Sequence, residues 1–67
     1  MTFLIKSERI NGHYIAIEQD KTGVIKVIDC PMFGDDLVGY PYKSCSYAYD
    51  ELTKAKATYN RYRRAVQ

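Results

Sequence analysis

Residues 10–18 read Ile-Asn-Gly-His-Tyr-Ile-Ala-Ile-Glu. Asn and Gly both tolerate positive φ, and Asn11-Gly12 lies between two β-prone runs, which marks a two-residue hairpin. Downstream, Ile15 and Ile17 fall on one face of a strand while Tyr14, Ala16 and Glu18 fall on the other. Upstream, Phe3, Ile5 and Ser7 alternate with Leu4, Lys6 and Glu8. Asp20-Lys21-Thr22-Gly23 supplies a second turn, followed by Val24 through Cys30, with Ile25 and Val27 opposite Val24, Lys26 and Ile28. Three strands joined by two tight turns make an antiparallel meander. Its expected inner face is Phe3, Ile5, Ile15, Ile17, Ile25 and Val27; its expected outer face is Lys6, Glu8, Tyr14, Glu18 and Lys26.

The alternation breaks at Pro31. Residues 31–45 hold Pro31, Gly34, Gly39, Pro41 and the pair Asp35-Asp36, and read as a loop of the length that tends to be functional or disordered. The apolar Met32, Phe33, Leu37 and Val38 indicate that this loop packs on something. Lys43 to Tyr49 fits either a short fourth strand or the first turn of a helix. Residues 46–67 are helical in pattern: Ala48, Leu52, Ala55, Tyr59, Tyr62 and Val66 step by four and three into one apolar stripe. Asp50, or alternatively Ser46, is the expected N-cap, and Arg61, Arg63 and Arg64 gather where the helix dipole favours cations. The expected fold is α+β: a three-stranded antiparallel meander, with a fourth strand optional, packed against one C-terminal helix in a single domain over residues 1–67.

A chain of 67 residues supports only a small core, so a staple or an oligomer is a reasonable expectation. Its net charge of +2 does not by itself point to nucleic acid. The apolar run Phe3-Leu4-Ile5 is too short for a signal-peptide core or a membrane span. The expectation is therefore a cytoplasmic protein without a membrane role, with Cys30 and Cys45 as free thiols.

Catalysis has little support. His13 is the single histidine and is expected to be exposed and ordinary beside its turn. Adjacent side chains such as Asp35 and Asp36 diverge, and two cysteines with one histidine fall short of a zinc ligand set. The reading is of a non-enzyme with no catalytic residue, cofactor or metal.

Binding has more. There are seven tyrosines and no tryptophan, and Tyr14, Tyr40, Tyr42, Tyr47 and Tyr49 exceed what so small a core can bury. Exposed tyrosines beside a Gly/Pro-rich loop suit a protein interface. The leading expectation is a protein-binding module using Tyr40, Tyr42 and Tyr47 with Asp35 and Asp36, supported by Arg61 and Arg64. The alternative is a nucleic-acid-binding domain using Lys6, Lys26, Lys54, Arg61 and Arg64. A third reading is homodimerisation through the sheet edge or the tyrosines.

Two resemblances bear on these readings. A three-stranded meander feeding a helix is also the layout of ethylene-response-type DNA-binding domains and of integrase arm-type domains. The stretch from Tyr49-Asp50 to Arg61 is similar to the helix of that group at Ala55, Tyr59, Asn60 and Arg61. That resemblance implies DNA contact through the outer face of the sheet, where Glu8 and Glu18 would repel phosphate. The chain as a whole resembles, in type, the small orphan proteins of phages and mobile elements, anti-CRISPR proteins among them. This likeness implies an inhibitor that occupies a surface of a host nucleic-acid enzyme.

Overall fold

A computed structural model describes residues 2–33, 36–37 and 43–67, with backbone only at 33, 36 and 37. The strands are β1 (Phe3–Ile10), β2 (His13–Gln19), β3 (Ile25–Phe33), β4 (Asp36–Leu37) and β5 (Lys43–Tyr47), followed by the helix α1 (Leu52–Val66). All pairings are antiparallel in the order β1-β2-β3-β5, and the two-residue β4 pairs with the far end of β3. The fold is thus the expected α+β meander plus helix, with Lys43–Tyr47 resolved as a strand.

The two turns form for local reasons. Asn11 and Gly12 have φ of 48° and 80°, the left-handed pair that a tight hairpin following the sheet's twist requires. At the second turn the Asp20 carboxylate accepts from the backbone N–H groups of Thr22 and Val24 and from the Thr22 hydroxyl. These bonds hold its acid below the ordinary carboxylate range, the Thr22 hydroxyl contributing most. Gly23 closes the turn at φ 95°.

The core lies between the sheet and α1. Ile15, Ile17, Ile25 and Val27 from the sheet meet Ala55 and Tyr59 from the helix, with Tyr47, Leu52, Tyr62 and Val66 around them. Each fully buried Ile or Val contributes roughly 1.5–3 kcal/mol from burial. Tyr62 and Cys45 meet at 3.3 Å, and desolvation with that bond pushes the Tyr62 phenol up to about 12.

Several expectations are corrected. Phe3 and Ile5 are exposed rather than buried in the core. The register slips between Leu4 and Lys6, where Ile5 is an extra residue. Beyond this bulge, Lys6 opposes Ile17 and Glu8 opposes Ile15, so both sit on the helix side and not on the outer face. The helix itself lies over β2, β3 and β5, which leaves β1 overhanging.

Pro31 does not end β3. Met32 donates its N–H to the Gly12 carbonyl at 2.6 Å. Successive N–H groups along a strand point to opposite edges, so the one proline lacks would point away from β2. The β2–β3 ladder loses nothing there.

The helix begins at Leu52, later than residue 46, because β5 holds the chain extended to Tyr47. Glu51, not Asp50 or Ser46, is the N-cap residue. Its backbone and carboxylate both bond Ala48, and its carbonyl accepts from Ala55.

Candidate interaction surfaces

β1 stands at the end of the strand order and presents an open edge. Among the described residues, β1 has no strand on its outer side. The large apolar side chains that stay exposed among the described residues are Phe3, Leu4, Ile5, Val24 and Tyr49. The register places them toward one end of the sheet: Phe3 pairs with Gln19, Gln19 with Ile25, and Ile25 with Tyr47. Gly23 lies under Tyr49, where a Cβ on the glycine would come within 3.1 Å of the tyrosine Cβ. Of the exposed side chains, Phe3, Leu4 and Ile5 lie on the open-edged strand itself, and exposed apolar side chains on an unpaired strand are a surface that proteins ordinarily cover or blunt.

Next to this edge, between β1 and α1, runs a groove of about 290 Å³ lined by Ile5, Lys6, Ile17, Lys56, Tyr59 and Asn60. Its floor is apolar and its rim carries two ammonium groups. Lys6 sits over the Tyr59 ring, 5.0 Å from the centroid. Among the described residues no carboxylate lines the groove, and the nearby Glu8 is engaged from the helix. The Tyr59 hydroxyl donates to Glu8 at 2.7 Å, and Arg63 Nε lies 3.0 and 3.1 Å from its two oxygens. Burial, the first cause, and then the bond to Glu8 push the Tyr59 phenol well above its ordinary range.

The solvent face of α1 is the second surface. Thr53, Lys56, Ala57, Asn60, Arg61 and Arg64 are all exposed and recur at the three-and-four spacing of one helical stripe. No residue of α1 is acidic. Lys54 is not part of this free charge: it pairs with Glu51 at 2.8 Å, a contact that raises the lysine's affinity for its proton and lowers the glutamate's. Arg61 reaches Thr58 at 3.5 Å.

The third feature is a cavity of about 460 Å³ at the C-terminal end of α1, where Asn11, His13, Asp29, Lys43 and Val66 converge. His13 is half-buried and its Nδ1 lies 2.9 Å from the carboxylate of the buried Asp29. This corrects the expectation of an exposed, ordinary histidine: pairing His13 with Pro31 puts it one step from Asp29 on the helix side. The Asn11 amide donates to the Val66 carbonyl at 2.6 Å, tying the first hairpin to the end of the helix. A histidine oriented by a carboxylate could move a proton, but no hydroxyl or thiol lines the cavity among the described residues. The pair is accounted for as a satisfied buried acid.

The sequence-predicted site residues fall apart spatially. Tyr40, Tyr42 and Asp35 lie outside the described residues, as does the Asp36 side chain. Tyr47 is packed against the core, its hydroxyl bonded to Thr58, so it serves the sheet–helix contact. Arg61 and Arg64 share the exposed helix face. Lys26 lies on the outer face between Glu18 and Ser46, while Lys6 belongs to the groove on the other side. A sheet edge was expected only as a dimerisation surface, and its flanking side chains were not named, although the consecutive Phe3-Leu4-Ile5 carried a signal: neighbouring strand residues cannot all face one core. Cys30 and Cys45 are not in a disulfide. No described helix is long and apolar enough to cross a membrane. Comparison with known protein families, with curated proteins and with solved structures finds no match for this chain.

Proposed function

We propose that this chain is a small non-enzymatic module that binds a protein partner through the open edge of β1. The observation that carries the reading is the run Phe3, Leu4 and Ile5, three exposed apolar side chains on a strand whose outer edge has no partner strand among the described residues. Strand addition there would satisfy the edge's backbone groups, and the flanking apolar side chains would supply buried area. The resemblance in type to phage and mobile-element proteins directs the first partners to test: nucleic-acid-processing effectors of a host, which such a module would inhibit by occupying a working surface.

The reading is tested by placing a photo-crosslinking amino acid at Leu4 and, as a control, at Thr53 on the solvent face of α1. A discrete protein captured from position 4 and not from position 53 supports it. Capture of the chain's own copies alone would replace it with self-association, and no capture at position 4 would overturn it.

One observation favours a second reading. The acid-free stripe with Lys56, Asn60, Arg61 and Arg64 is suited to phosphate contact, and Asn and Arg on an exposed helix are base-reading residues. Under this reading, affinity for duplex DNA falls steeply with salt and is lost when Arg61 and Arg64 are replaced by alanine. Anisotropy titrations of wild type and the double variant from low to physiological salt decide it.

A further inference from the structure

Resting on the protein-partner reading, we infer that the partner contributes an extended segment with acidic side chains on alternate positions. One row of its side chains enters the groove between β1 and α1.

A strand added at the β1 edge projects successive side chains to opposite faces of the sheet. The row on the helix side lies over the groove, because α1 covers β2, β3 and β5 and leaves room beside β1. Lys6 and Lys56 stand at this groove with no carboxylate in ion-pair distance among the described residues. The nearest acid on β1, Glu8, is already engaged by Tyr59 and Arg63. Carboxylates from the partner would therefore meet uncompensated positive charge over the apolar floor of Ile5, Ile17 and Tyr59. The bulge is confined to Ile5, and pairing is regular from Lys6 to Ile10, a length of edge that a partner strand can follow. A second copy of β1 fits this groove poorly: the row that carries its Lys6 would meet the same cations, and the Glu8 of that row is already engaged by Tyr59 and Arg63.

The experiment uses fluorescein-labelled ten-residue peptides in which every second position is glutamate, or lysine in the counterpart, with valine and serine between. Anisotropy is followed with wild type, with the double variant Lys6→Glu/Lys56→Glu, and with Lys26→Glu on the outer face. The expected result is binding of the glutamate peptide, weakened about tenfold or more by the double variant, while that variant gains the lysine peptide. Lys26→Glu leaves both unchanged. Circular dichroism of each variant verifies that it folds. Equal binding of the two peptides, binding of neither, or indifference to the charge reversal overturns the inference. Crosslinking at Leu4 to a protein while neither peptide binds would overturn this inference alone and leave the protein-partner reading standing.

Discussion

The hydroxyl of Tyr59, near the middle of the helix, donates to the carboxylate of Glu8 on the overhanging strand at 2.7 Å. Arg63, one turn further on, shares that carboxylate. These contacts tether β1 to a helix that otherwise lies over its neighbours. Tyr59→Phe keeps the buried ring and removes the hydrogen bond to a charged acceptor, so it should cost about 1.5–3 kcal/mol. Urea denaturation measures it, and a double-mutant cycle with Glu8→Gln should show coupling between the two sites.

Alkaline pH should weaken the fold through two phenols. Tyr59 and Tyr62 both have their acidity suppressed by burial, Tyr62 up to about 12. A group whose folded value is raised contributes stability that is intact below its unfolded value. That stability is lost as pH rises toward the folded value. The melting temperature should therefore fall progressively between pH 10 and 12, and the fall should be shallower in Tyr62→Phe. An unchanged slope in that variant would contradict the assignment.

Asn11 carries two separable roles, one in its backbone and one in its amide. Asn11→Ala puts at φ 48° a residue that tolerates the left-handed region less well than asparagine, and removes the bond to the Val66 carbonyl. The combined cost should be about 2 kcal/mol. Asn11→Gly restores the backbone freedom but not the bond, so it should recover roughly half of the loss. Chemical denaturation of the pair of variants separates the contributions.

Leu4→Lys should leave stability within about 0.5 kcal/mol of wild type, because the side chain is exposed and makes no core contact. The same change should raise solubility at high concentration by placing charge on the open edge. Thermal melting and light scattering measure the two effects. A loss of several kcal/mol would show that Leu4 is buried in solution.

Most of the fold was legible because its signals are local. Asn11-Gly12 and Asp20 to Gly23 define their turns through their own backbone preferences. The alternation of Ile15, Ile17, Ile25 and Val27 and the stripe from Leu52 to Val66 each point to a single buried face. What escaped was non-local. A bulge at Ile5 leaves the composition of β1 unchanged yet reverses the faces of everything after it, so Lys6 and Glu8 were assigned to the wrong side. Pro31 was read as a stop because the direction of its missing N–H depends on register. The extended state of Lys43–Tyr47 likewise comes from pairing with β3, which overrides the helical alternative and moves the helix start to Leu52. The open β1 edge follows from the order of strands, and the groove beside it from where the helix settles across the sheet, neither of which a single segment encodes.

The sideways placement of α1 also grades the sheet in time. Strands β2, β3 and β5 have the helix above them and can open only when the core opens. Among the described strands β1 is paired along one side only, so its amides should exchange with solvent earlier than those at the centre of the sheet. A strand that loosens while its neighbours stay shut can adjust its twist to an incoming chain without disturbing the hydrophobic interior. The small core is thus spared the strain of recognition.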